Sequence, residues 1–208
     1  MNEPVRVLGL LGSPLSDGNT ARLLASALSG VREAGGEVER VDIPTLEFSA
    51  CEEIMYCRDN DTCWIEDAVR PMYRSVADLD GVIIATPIMT MGIPGKLKSF
   101  MDRFQVFFMA KYVRKVSLVP AARRNMRRGV FISICGMDGD HIFAGAKTSV
   151  EAFFDIIDVQ YHDELLVSGM DRIQDIRTRP DLLSAAHAKG RDLVLSINSQ
   201  ALLTRQDQ

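Results

Sequence analysis

Short apolar runs alternate along this chain with stretches of helical periodicity, and that alternation leaves few folds open. Residues 5–11, 81–86 and 129–135 are apolar almost throughout, as strands covered on both faces must be. Residues 38–43 are more polar, and 159–167 alternates at Val159, Tyr161, Leu165 and Val167, so these two suit the sheet edges. Leu23, Leu24, Ala27, Leu28 and Val31 fall on one helix face, and further helical patterns lie at about 66–79, 94–104, 142–156 and 180–203. Strict β/α alternation with five strands predicts an α/β fold. It is a doubly wound parallel sheet of order 2-1-3-4-5 between two helix layers. At 208 residues the chain is expected to form one domain over 1–208, with a cysteine-containing loop at 44–65.

Ligands of such sheets bind beyond the carboxyl ends of the strands, at the switch point. The loop after strand one, Gly12-Ser13-Pro14-Leu15-Ser16-Asp17-Gly18-Asn19-Thr20, is suited to that place. It aims backbone N–H groups, hydroxyls and the positive end of a helix dipole at one spot, as a phosphate requires. It is neither a Walker loop, which needs Gly-Lys-Ser/Thr, nor Gly-x-Gly-x-x-Gly. Taken alone it reads equally as a helix cap, with Asn19 or Thr20 closing the helix and Gly18 making the turn. Its position on strand one tips the reading to phosphate.

The loop after strand three carries Pro87, Ile88, Met89, Thr90, Met91, Gly92, Pro94 and Gly95. Stiff and apolar at the same sheet edge, it wants either a flat apolar ligand or a partner subunit to cover it. A third loop, Cys135 to His141, follows strand four.

A net charge of −4 argues against nucleic acid as the main partner. The basic stretch Arg114-Lys115, Arg123-Arg124, Arg127-Arg128 is expected to be a solvated loop and strand entrance, or else a landing site for a phosphorylated nucleotide or acidic partner. Met1-Asn2-Glu3-Pro4 shows no basic segment ahead of an apolar one, and no apolar stretch reaches the roughly 20 residues of a membrane helix. The expectation is a cytoplasmic protein whose cysteines are thiols or metal ligands.

Gly12-Ser13-Pro14…Gly18-Asn19-Thr20, then Pro87 with its hydrophobic loop, then Leu97-Lys98-x-Phe100-x-Asp102-Arg103, together resemble the flavodoxin-like NAD(P)H-dependent FMN reductases. Within these the chain is most similar to the iron–sulfur flavoproteins, over about residues 5–168. The resemblance implies an FMN phosphate held by Ser13, Ser16, Asn19 and Thr20, with Pro14 and Gly18 shaping the loop. It implies a flavin ring lined by Pro87, Ile88, Met89, Thr90, Met91 and Gly92, where relatives often place an aromatic residue at the Met89 position. Gly136, Asp140 and His141 would belong to the floor of that ring, His141 as a cap or polar neighbour of the flavin and not an acid catalyst; Lys98, Asp102 and Arg103 lie at helical spacing and are expected to brace their helix.

The implied activity is hydride transfer from NADH or NADPH to FMN and onward to a small acceptor: a quinone, free flavin, nitro or azo compound. Two further readings stand beside this enzyme: an electron carrier between protein partners, and a non-redox phosphate-binding module. Relatives are commonly dimers or dimers of dimers, so a homodimer or homotetramer is expected, with the 87–92 loop and Phe104, Phe107, Phe108 and Met109 as contact or core.

Cys51, Cys57 and Cys63 follow C-x5-C-x5-C. Laid over the four-cysteine pattern of the iron–sulfur flavoproteins, they match three positions, and Ile54 stands where the second cysteine would be. A cubane normally takes four thiolates, so the loop reads as three free thiols, or as an iron–sulfur cluster whose remaining iron takes water, another side chain such as Cys135, or an exogenous thiolate. Cys135 is another thiol at the same sheet edge. Zinc is disfavoured by the absence of a C-x2-C pair or a nearby histidine pair.

Overall fold

The computed structural model describes residues 3–206. It contains a five-stranded parallel sheet of order β2-β1-β3-β4-β5, the order expected. The strands are β1 (Arg6–Leu11), β2 (Glu37–Asp42), β3 (Gly81–Pro87), β4 (Arg128–Ile134) and β5 (Gln160–Val167). The helices are α1 (Asn19–Glu33), α2 (Met72–Ala77), α3 (Gly95–Asp102), α4 (Gln105–Phe108), α5 (Ala121–Arg124), α6 (Ala144–Ile156), α7 (Met170–Ile173) and α8 (Pro180–Gln206).

Side chains alternate across a strand, and here both faces are used. Val7 and Leu11 of β1 pack with Ile83, Val130 and Ile132 against α1 and α8. Leu8 and Leu10 turn the other way and pack with Val82, Ile84 and Phe131 against α3, α4 and α6. Hence the central strands read as unbroken apolar runs. Register is continuous across them, with Leu8 beside Val82 and Ile84 beside Phe131.

On the first face α1 and α8 run in close backbone contact. A Cβ at Gly190 would lie 1.8 Å from the Ala27 carbonyl oxygen, so no larger residue fits without separating the helices. On the second face an aromatic stack fills the core. Phe104 meets Tyr73 and Phe153 edge-on at centroid distances of 5.3 and 5.2 Å. Phe104 and Phe107 are buried within the chain, which assigns them to the core and not to a subunit contact.

Two helical patterns depart from expectation. The helix foreseen at 66–79 begins only at Met72. Ahead of it the Asp67 carboxylate accepts the N–H groups of Val69 and Ser49, holding the chain in a turn, and Pro71 is the N-cap. The helix foreseen at 94–104 is extended by α4 and then by a π-helical segment, Met109–Arg114, closed by Lys115 in the left-handed region.

The basic stretch is the expected solvated loop and strand entrance only in part: Lys115 and Arg124 are exposed and Arg128 opens β4, but the other cations are turned inward. Arg127 is fully buried, Arg128 nearly so, and the Arg127 Nη2 donates to the Val76 carbonyl at 2.6 Å. Burial lowers the Arg127 pKa to about 10. Arg123 pairs with Asp80, and Arg114 donates to the carbonyls of Cys57 and Asn60 at 2.8 and 2.9 Å. Arg114 and Arg127 are thus spent on carbonyls inside the fold, because buried carbonyls need donors.

Candidate functional site

The loop after β1 opens α1 at the carboxyl edge of the sheet. The Gly12 N–H donates to the Ala85 carbonyl at 2.8 Å, which carries β1 one residue further along β3. A Cβ at Gly12 would sit 2.5 Å from Leu97 Cδ2, so the turn passes too close to α3 for another residue. Ser13 is buried and its Oγ accepts from the Leu15 N–H at 3.2 Å. Gly18 is the N-cap of α1, in extended conformation and with no side chain capping it. Neither Asn19 nor Thr20 acts as the cap. An N-terminus left without a side-chain cap, with dipole and N–H groups aimed outward, is what an anion requires.

Asn19 has another task. Its Nδ2 donates to the Gln174 carbonyl at 2.7 Å and its Oδ1 accepts from the Ile176 N–H at 3.0 Å. Both ends of its amide therefore hold the segment after β5, and the side chain expected on a phosphate is a clamp for that segment. Arg40 was not foreseen. From the polar edge strand β2 its Nη2 donates to the Ser16 carbonyl at 2.8 Å, while the Asp42 carboxylate fixes the guanidinium at 2.6 and 2.9 Å. Only strand pairing brings Arg40 to the loop, so no local pattern could mark it.

The second loop is a tight turn. Met89 and Gly92 exchange N–H···O bonds of 2.9 and 3.0 Å, which forces Thr90 and Met91 into the left-handed region, φ 49° and 59°. Such conformations in non-glycine residues cost on the order of 1–3 kcal/mol each and gather at ligand clamps. Ile88 packs inward on Cys135, Ile142 and Phe143. Met89 and Met91 do the reverse and stand exposed, as do Leu15 from the first loop and Met137 from the third. Three loops thus present apolar side chains at one sheet edge beside the N-terminus of α1. A molecule with a phosphate and a flat apolar ring system matches that juxtaposition.

The third loop is stitched to the chain after β5. Gly169, Met170 and Asp171 donate to the carbonyls of Met137, Cys135 and Gly136 at 2.8, 2.9 and 3.2 Å. Asp140 and His141 are exposed in a short 3-10 turn.

The cysteine loop lies apart from these three. Cys51, Cys57 and Cys63 are free thiols lining a cavity of about 630 Å3 together with Ile54, Tyr56 and Trp64. Burial pushes the Cys57 thiol up, and the neighbouring Cys63 and Cys51 add to it. Among the described residues no three His, Cys, Asp or Glu side chains form a metal-holding group. Cys135 is buried beside Ile142 and Phe143 on another loop and does not line this cavity. The donor set, three thiols with Ile54 at the second of the four positions, does not fit a four-thiolate cluster.

Arg103 anchors the loop: fully buried, it ion-pairs with Asp67 and donates to the Ser49 carbonyl at 2.8 Å. Lys98 and Asp102 pair at 2.5 Å along α3, so this motif braces its helix, as expected.

Comparison with known proteins agrees with the geometry. An iron–sulfur flavoprotein of Methanosarcina thermophila is 32% identical over 99 residues, 48% of this chain and 52% of that protein. One of Methanocaldococcus jannaschii is 32% identical over 99 residues, 48% of this chain and 51% of its own. The matches thus span about half the length of these curated relatives. Among solved structures, an NAD(P)H:quinone oxidoreductase from Methanothermobacter marburgensis superposes with a TM-score of 0.70 at 19% identity, covering 92% of this chain and 96% of the other. An FMN-dependent NADH-azoreductase from Bacillus anthracis gives 0.66 at 14% identity, covering 91% and 99%. At such identities the likeness is one of fold, the flavodoxin-like sheet. The family model of the NADPH-dependent FMN reductases matches residues 5–134. That span takes in the phosphate-type loop, the strained apolar turn and four of the five strands, and the chain belongs to this family.

Proposed function

We propose that this protein holds FMN at the carboxyl edge of its sheet and passes electrons from NADH or NADPH to a small acceptor of the quinone, flavin, nitro or azo class. The observation that carries the reading is the juxtaposition of the α1 N-terminus, free of a side-chain cap, with the exposed apolar side chains of the 87–92 turn and its neighbours. When bound, FMN supplies the hydride and single-electron chemistry.

The protein's part is to bind and orient. Ser13, Ser16 and Thr20, with the N–H groups behind Gly18, would hold the phosphate, and Pro14 shapes their turn. Without a lysine in the loop, neutral donors must act together with the helix N-terminus, whose attraction for a charge is worth only about 0.3–1 kcal/mol. Asn19 would act indirectly, by clamping residues 174–176. Pro87, Met89, Thr90, Met91 and Gly92 would line the ring, anchored by Ile88. Gly136, Asp140 and His141 lie on the loop that would form its floor.

The test is an FMN titration followed by anaerobic addition of NADH or NADPH. Stoichiometric flavin absorbance that bleaches with the nicotinamide, and returns with a quinone or azo acceptor, is expected. Protein that takes up no FMN overturns the proposal.

A further inference from the structure

The cavity behind the cysteine loop is left over by the flavin reading. One wall is Asp102, Gln105 and Met109, the other comes from residues 50–57 and 63–65, and no residue assigned to FMN lines it. Its volume of about 630 Å3 lies within the roughly 300–1,000 Å3 typical of small-ligand pockets. Glu53 and Met55 are both left-handed, φ 51° and 63°, and between them Ile54 stands 49% exposed. Strain at two positions flanking one presented side chain fits a ligand clamp.

The chemistry of the lining narrows the ligand. Tyr56 and Trp64 meet at 5.6 Å and 62°, with Trp64 63% exposed. The charged side chains on the wall are Glu52, Glu53 and Asp102, all acidic. Lys98 neutralises Asp102, while Arg103 and Arg114 are turned to Asp67 and to Asp61 with loop carbonyls. Exposed aromatic surface beside carboxylates attracts a flat cation and repels a flat anion.

We propose that this cavity binds a planar aromatic cation against Trp64 and Tyr56, with Ile54 beneath it and Glu52 and Glu53 balancing its charge.

The experiment titrates the 208-residue chain with 9-aminoacridine, a cation at neutral pH, and separately with anthracene-2-sulfonate, a three-ring anion that is not a quinone. Trp64 is the only tryptophan of the sequence, so its fluorescence reports on this cavity directly. Saturable one-to-one quenching by the cation is expected, unchanged by saturating FMN. It should weaken about tenfold in the Glu52→Gln, Glu53→Gln double variant and again in Ile54→Lys. Linear quenching without saturation, equal binding of the anion, displacement by FMN, or unaltered affinity in the glutamine variant overturns the proposal. The readout needs neither bound flavin nor turnover, so failure of the FMN reading is seen separately in the FMN titration.

Discussion

Two single positions decide most about the chemistry this chain can perform. Thr20 is buried in the first turn of α1, next to the Gly18 cap. Thr20→Ala together with Ser13→Ala is expected to weaken FMN retention about tenfold or more, the loss of hydrogen bonds to a charged group. Equilibrium dialysis would show it, with circular dichroism unchanged. Asn19→Ala acts differently, because its amide bonds to Gln174 and Ile176. Its expected signature is faster hydrogen exchange in residues 174–176. Ile54 is the second position. Ile54→Cys completes the C-x2-C-x2-C-x5-C spacing, so anaerobic incubation with iron and sulfide is expected to give broad visible absorbance and about four irons per chain. Iron uptake no greater than that of the unaltered protein would show that geometry, and not ligand count, limits the loop.

Among the elements, the junction of α3 with the cysteine loop carries the strongest energetic argument. Arg103 has no exposed side-chain surface and Asp67 only 11%. Burial alone would raise the Asp67 carboxyl, yet the hydrogen bonds from Arg103, Val69 and Ser49 outweigh it and lower its pKa. A lowered folded-state pKa contributes stability above the ordinary value of 3.8 that is lost as pH falls through the folded one. Asp67→Asn leaves a buried guanidinium unpaired and is expected to cost about 3–5 kcal/mol at pH 7. Denaturant melts at pH 7 and below pH 3.8 would test it, the gap between variant and parent narrowing in acid. Helical spacing marked Arg103 as a brace. Its partner Asp67, 36 residues away in the chain, could not be read from any local pattern, and the same pairing explains why the helix foreseen from residue 66 starts late.

For the molecule as a whole, the sheet depends on two helices that touch backbone to backbone. Gly190→Val must push α8 off α1, since the added Cβ would meet the Ala27 carbonyl oxygen. A loss of about 1–3 kcal/mol or more is expected from such overpacking, read as a lower thermal midpoint. No helix among the described residues is long and apolar enough to cross a membrane. What the sequence determined by itself is the architecture: strand count, edge and centre, and the placing of the loops after β1 and β3 at the carboxyl edge of the sheet. Those follow from apolar periodicity, which burial on one or both faces imposes residue by residue. What the tertiary structure alone decided is which polar side chains are free to bind. Asn19 is consumed by the chain after β5, Arg40 reaches the loop from β2, and Arg127 lies in the core. Each is settled by partners far apart in sequence, because a buried donor or acceptor takes whatever complement the fold brings within about 3 Å.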